Sequence, residues 1–148
     1  MRGGTYCIQG EDVNAALGEA GRVYLVGHLK RPQPQLEHIA SLESSIEIGI
    51  TRYNRVTAEQ AHLHKWNTDA VVVLAGMYAV RIISTGESKV LTEGGVCVIE
   101  PGISHICVAS SDAQVLFVKT PGGDDKVQVE PDKASCDWVE TIMVRWGA

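Results

Sequence analysis

Valine and isoleucine supply 29 of the 148 residues, and they fall in short runs cut by turn residues. β-Branched side chains lose freedom in a helix and pack well on a pleated surface, so such a chain is pressed toward sheet. The runs read as strands at 23–29, 45–53, 68–74, 77–84, 89–92, 96–99, 105–109 and 114–119, with terminal strands at 127–129 and 139–145. Gly86-Glu87, Gly94-Gly95 and Pro101-Gly102 mark turns between them. Within 45–53 the alternation is clean: Ile46, Ile48 and Ile50 share one face, and Glu47, Gly49 and Thr51 the other. Glu11–Ala20 reads as one or two helical turns before Gly21, and Pro32 and Pro34 make 30–35 a loop or edge. Nine or more short strands with almost no helix specify an antiparallel sandwich or barrel, which hides its edges by closing.

Composition narrows the functional classes. A hydrophobic fraction of 45% and a charged fraction of 21% describe one globular domain rather than a disordered or fibrous chain. The net charge of −5, with 13 scattered Lys and Arg, argues against a nucleic-acid-binding face. The longest apolar stretch, Ala70–Val80, spans eleven residues, where a membrane helix needs about 18. The first 26 residues lack the apolar centre of a secretory signal. A cytoplasmic protein without membrane or nucleic-acid partners is expected. Cys7, Cys97, Cys107 and Cys136 show no C-x-x-C spacing and read as reduced, small hydrophobes in strands.

Five histidines carry the chemistry: His28, His38, His62, His64 and His105. His62 and His64 are two apart, so on a strand both imidazoles enter the same space. Imidazole suits zinc, iron, nickel and copper. Asp69 offers a carboxylate five residues on, and His105 heads another strand after a Pro-Gly turn. His28 and His38 lack spaced partners and read as surface or interface residues.

The spacing around these residues carries a resemblance. The chain reads His62-Leu63-His64, four residues, Asp69, six residues, Gly76; then Gly94, five residues, Glu100-Pro101-Gly102, two residues, His105. This resembles the two motifs of the cupin superfamily: H-x-H, three or four residues, Glu, six residues, Gly; and Gly, five residues, P-x-G, two residues, His, three residues, Asn. Asp69 stands where that family has Glu, Glu100 where it has the first proline, and Ala109 where it has Asn. The resemblance implies an antiparallel jelly-roll barrel over 46–120. Residues 1–45 then form an N-terminal extension and 121–148 a C-terminal turn and strand. It further implies one divalent ion (iron, zinc, nickel or manganese) on His62, His64, Asp69 and His105, and a homodimer paired through 23–29 or 139–145.

Other polar residues near the motifs are candidates for the rest of a site. Arg52 and Arg55 are suited to clamping an anionic substrate. Gln60 shares the strand face of His62, and Trp66 follows the H-x-H. Glu100 is a candidate general base and Tyr78 a candidate proton donor, as is Tyr53. Three neutral imidazoles and a carboxylate leave coordination positions open, as in catalytic rather than structural sites. The expected function is a metal-dependent, oxygenase-like enzyme on a small organic substrate. A sugar or nucleotide-sugar isomerase or epimerase, or a non-catalytic small-ligand-binding cupin, are the alternatives.

Overall fold

A computed structural model describes residues 9–26 and 46–147. Cys7, His28, His38 and the Pro32/Pro34 segment lie outside the described residues. Helix α1 (Gly10–Ala20) leads into eleven strands: β1 (Arg22–Val26), β2 (Glu47–Arg52), β3 (Thr57–Ala58), β4 (His62–His64), β5 (Thr68–Ala75), β6 (Tyr78–Ile82), β7 (Ser88–Leu91), β8 (Val96–Ile99), β9 (His105–Ala109), β10 (Gln114–Thr120) and β11 (Lys126–Gln128). Helix α2 (Lys133–Arg145) follows. Two antiparallel sheets face each other, ordered β1-β2-β10-β5-β8 and β11-β4-β9-β6-β7, with β3 on β9.

Alternation along the strands divides inside from outside. The inner row of the first sheet pairs Thr51 with Val115, Gly49 with Phe117 and Glu47 with Lys119. The same β10 residues then pair with Val73, Val71 and Asp69. One end of the interior is apolar: Val71, Val73, Val80, Ile99, Cys107 and Val115 pack there with Tyr53 and Tyr78. The isoleucine face of β2 does not point inward. Ile50 and Val23 are covered from outside by Ala16 and Leu17 of α1.

The reading of 139–145 as a terminal strand is corrected: these residues are helical. Asp132 caps the helix by accepting from the Ser135 backbone N–H at 2.9 Å. Trp138, Val139, Ile142, Met143 and Trp146 recur at helical spacing and pack on Ala79 and Val108, on the outer face of the second sheet. A β-branched pair, Val139 and Val144, imitated a strand, but the period of the apolar residues is that of a helix. This segment therefore offers no strand for pairing between copies. Cys136 is likewise not a strand hydrophobe, since it lies exposed on α2. The two sheets also reach beyond 46–120, taking β1 at one end and β11 at the other.

The inward register leaves no room at Gly49. A Cβ there would stand 2.2 Å from the Phe117 ring and 2.6 Å from the Val23 carbonyl oxygen. Gly49→Ala should therefore cost about 1–3 kcal/mol of stability, read as a shifted midpoint in urea unfolding with an unchanged slope.

Candidate metal centre

His62 and His64 lie on β4 and His105 on β9, and His62 pairs directly with His105 across the ladder. All three rings are buried. Ring centroids of His62 and His105 are 4.3 Å apart, and those of His62 and His64 5.2 Å. One ligand atom from each histidine lies within 4.8 Å of the others, within reach of a single ion.

Each Nδ1 is already engaged. His62 Nδ1 lies 2.7 Å from the Gln60 carbonyl oxygen, His105 Nδ1 2.9 Å from that of Ile103, and His64 Nδ1 2.7 Å from Asp125 Oδ1. Acceptors at these positions put the proton on Nδ1 and leave the Nε2 lone pair for a cation. His64 Nε2 and Asp69 Oδ1 are buried without a hydrogen-bond partner. Such orphaned atoms are costly unless something binds them. Asp69 Oδ2 stands 3.4 Å from His64 Nε2, reaching the cluster from the opposite sheet. A buried His62/His64/His105 cluster with a carboxylate at its side suits a metal ion.

The electrostatics agree. Burial lowers the His62 pKa to about 4, with repulsion from His105 and Lys126 adding to it, and burial lowers His105 as well. Both rings are neutral at pH 7, as ligands must be. Burial also opposes charge on His64, but its contacts with Asp69 and Asp125 outweigh burial and raise its pKa. That corner of the site therefore attracts a cation.

Asp125 is the hub of the support. Besides His64, it accepts from the backbone N–H groups of Trp66 at 2.9 Å and Asn67 at 2.7 Å, and from Asn67 Nδ2 at 2.9 Å. Burial would raise its pKa, but the bonds from Asn67, His64 and Trp66 prevail and hold it well below the usual carboxylate range. Asn67 in turn takes the Gly122 N–H and donates to the Gly123 carbonyl, fixing the turn that carries Asp125.

A cavity that opens to solvent lies against the cluster. His62, His64, Asp69 and Tyr78 line it, together with Tyr53, Glu59, Arg22, Lys119 and Lys126. The other sequence candidates are elsewhere. Arg52 faces outward, bonding Gln114 Oε1 and Asn14 Oδ1, because its position on β2 alternates with the inward Thr51. Arg55 is exposed in the bend after β2. Gln60 is exposed and bonded by Gln128, beside a separate outer hollow with Ala61 and Ile106; its contribution to the centre is its backbone carbonyl. Trp66 is 50% exposed, with its indole N–H on the Gly122 carbonyl. Glu100 is exposed on the turn after β8 and does not line the cavity.

Glu59, Asp125 and the cations Arg22, Lys119 and Lys126 escaped the sequence reading. Asp125 sits in a segment that reads as a plain turn. The need of a ligating histidine for a fixed acceptor is the one signal that points to such a residue. Lys119 was legible in principle, since it continues the inward alternation of Val115 and Phe117.

No family model matches the chain, and no curated protein matches it by sequence. Solved structures do. KdgF from Halomonas sp. aligns over 71% of this chain and 83% of its own, at 20% identity and a TM-score of 0.53. An RmlC-like cupin from Shewanella frigidimarina aligns over 57% and 73%, at 19% identity and 0.50. Streptomyces Pac13, described as a nucleoside dehydratase, aligns over 66% and 78%, at 11% identity and 0.53. The chain has the cupin fold, an all-β double-stranded barrel, as the motifs at 62–76 and 94–105 implied.

Removing the hub should show its role. Asp125→Ala is expected to weaken zinc affinity about 10–100-fold, by competition with a chromophoric chelator, while His62, His105 and the barrel stay in place. Unchanged affinity would mean that His64 needs no fixed orientation.

Proposed function

We propose that this chain is a metal-dependent cupin enzyme acting on a small organic substrate held in the barrel. The observation that carries the reading is the set of three buried imidazoles with every Nδ1 committed. His62, His64 and His105 would hold the ion, with Asp69 as a carboxylate ligand from the facing sheet. When bound, the ion supplies Lewis-acid polarisation of a substrate oxygen.

The chain's own residues supply proton handling beside it. The Tyr53 hydroxyl donates to Glu59 Oε1, and the Glu59 backbone N–H is pinned to the Cys107 carbonyl at 2.9 Å. Among the described residues nothing bonds Glu59 Oε2, which is therefore free to accept a substrate proton. Burial and the Glu59 charge push the Tyr53 phenol far up, so it remains a donor at neutral pH. Tyr78 is raised by burial in the same way. A carboxylate acceptor beside a protonated phenol favours isomerisation or elimination, which move protons, over the oxygenase chemistry that the histidine set alone motivates.

Elemental mass spectrometry on protein purified without chelators tests the reading. Near-stoichiometric metal is expected in the wild type and none in His62→Ala or His105→Ala. Asp69→Asn should keep the ion with roughly tenfold weaker affinity. A wild-type protein that takes up no metal even after reconstitution overturns it.

A further inference from the structure

Arg52 and Arg55 do not face the cavity, yet the cavity is lined with cations. Three independent strands bring them there. Arg22 comes from β1, opposite Thr51. Lys119 comes from β10, opposite Asp69. Lys126 comes from β11, directly opposite His64, so its side chain leaves the ladder on the same face as that ligand. All three line the cavity, and all three also line the adjoining hollow at its mouth, which again includes His64.

Two of the cations are held in place by the protein. The Arg22 guanidinium lies 5.1 Å from the centre of the Phe117 ring and donates from Nε to Thr51 Oγ1 at 2.9 Å. Lys119 Nζ lies 5.3 Å from the same ring, and 3.9 Å from Glu47. Glu47 is shared, since its other oxygen accepts from the Gly123 N–H at 3.2 Å. Lys126 is exposed at the rim and has no ion-pair partner among the described residues. Carboxylates share the lining of the two hollows: Asp125 is committed to four donors, Glu47 to Lys119 and the Gly123 N–H, and Glu59 through one oxygen to Tyr53, while Asp69 turns to His64. Three cations converging on one mouth, one of them unpaired, make a site for negative charge brought from outside.

We infer that the rim formed by Arg22, Lys119 and Lys126 is an anchoring subsite for the carboxylate or phosphate of a small organic anion. The reading extends the proposed function by naming the substrate class. The anion's charged end sits on the rim, and its reacting end reaches the histidine cluster and the Tyr53–Glu59 pair. The cations belong to the chain itself, so the subsite can be tested with and without metal.

Calorimetric titration with malate, glycerol 3-phosphate and uncharged glycerol makes the test, on zinc-loaded and metal-free protein with zinc content measured on each sample. At least one anion is expected to saturate both forms, more tightly the loaded one, while glycerol does not bind. Lys126→Gln, at an exposed position, should keep its zinc content and unfolding midpoint but weaken the anion about tenfold. Lys119→Gln should act in the same direction and serves as the second variant. Preference for malate assigns the subsite to carboxylates, and preference for glycerol 3-phosphate to phosphates. Absence of anion binding in both forms, or unchanged affinity in both lysine variants, overturns the inference. Failure to take up zinc bears on the metal reading alone, because the metal-free titration still judges the rim.

Discussion

The interior of this barrel can be polar because the apolar outer face of β1, β2, β6 and β9 is covered from outside by two helices, while Leu74, Val90, Val96 and Val98 stay exposed on β5, β7 and β8. That cover organises this molecule. Ile50 and Val23 go under α1, and Ala79 and Val108 go under α2. Their alternating neighbours are released to the interior. There one end closes as an apolar core around Val73, Val80 and Val115. The other end gathers His62, His64, His105, Asp69 and the rim cations.

The site is then a matter of satisfying buried donors and acceptors. Two of the three Nδ1 atoms are met by backbone carbonyls two residues upstream, at Gln60 and Ile103. The sharp local geometry before β4 and β9 thus orients the rings at no cost in side chains. His64 has no such carbonyl and depends on Asp125 from across the ladder. Asp125 ends the turn just before β11 and Lys126 opens that strand, so the support of a ligand and the proposed anion subsite rest on adjacent residues. The unpartnered His64 Nε2 lies 3.4 Å from Asp69 Oδ2, and Asp69 Oδ1 is likewise buried without a partner.

Much of this was legible from residues. The valine and isoleucine runs placed most strands, and the i, i+2 pair His62/His64 fixed a shared inward face. The second motif brought in His105 as a ligand, and the ladder sets it directly opposite His62. Illegible parts share a cause: they depend on partners distant in sequence. Which face of β2 is interior depends on whether α1 covers the isoleucines, and the local pattern is the same either way. Arg52 and Arg22 are similar residues on neighbouring strands, but register sends one outward and the other into the cavity. Asp125 and Glu59 matter through His64 and Tyr53, 61 and 6 residues away, and neither spacing announces a contact. The helix at 133–145 was legible through its apolar period, and the β-branched residues within it concealed that.

The central claim is that three imidazoles, each held by its Nδ1, bind one ion inside the barrel. X-ray absorption spectroscopy on the zinc-loaded protein tests it directly. The account predicts a first shell of nitrogen and oxygen at about 2.0–2.1 Å, with the outer-shell scattering of three imidazole rings and no sulfur. A sulfur shell at about 2.3 Å, or scattering from fewer than two imidazoles, would contradict it by moving the ion to the cysteines or to the surface.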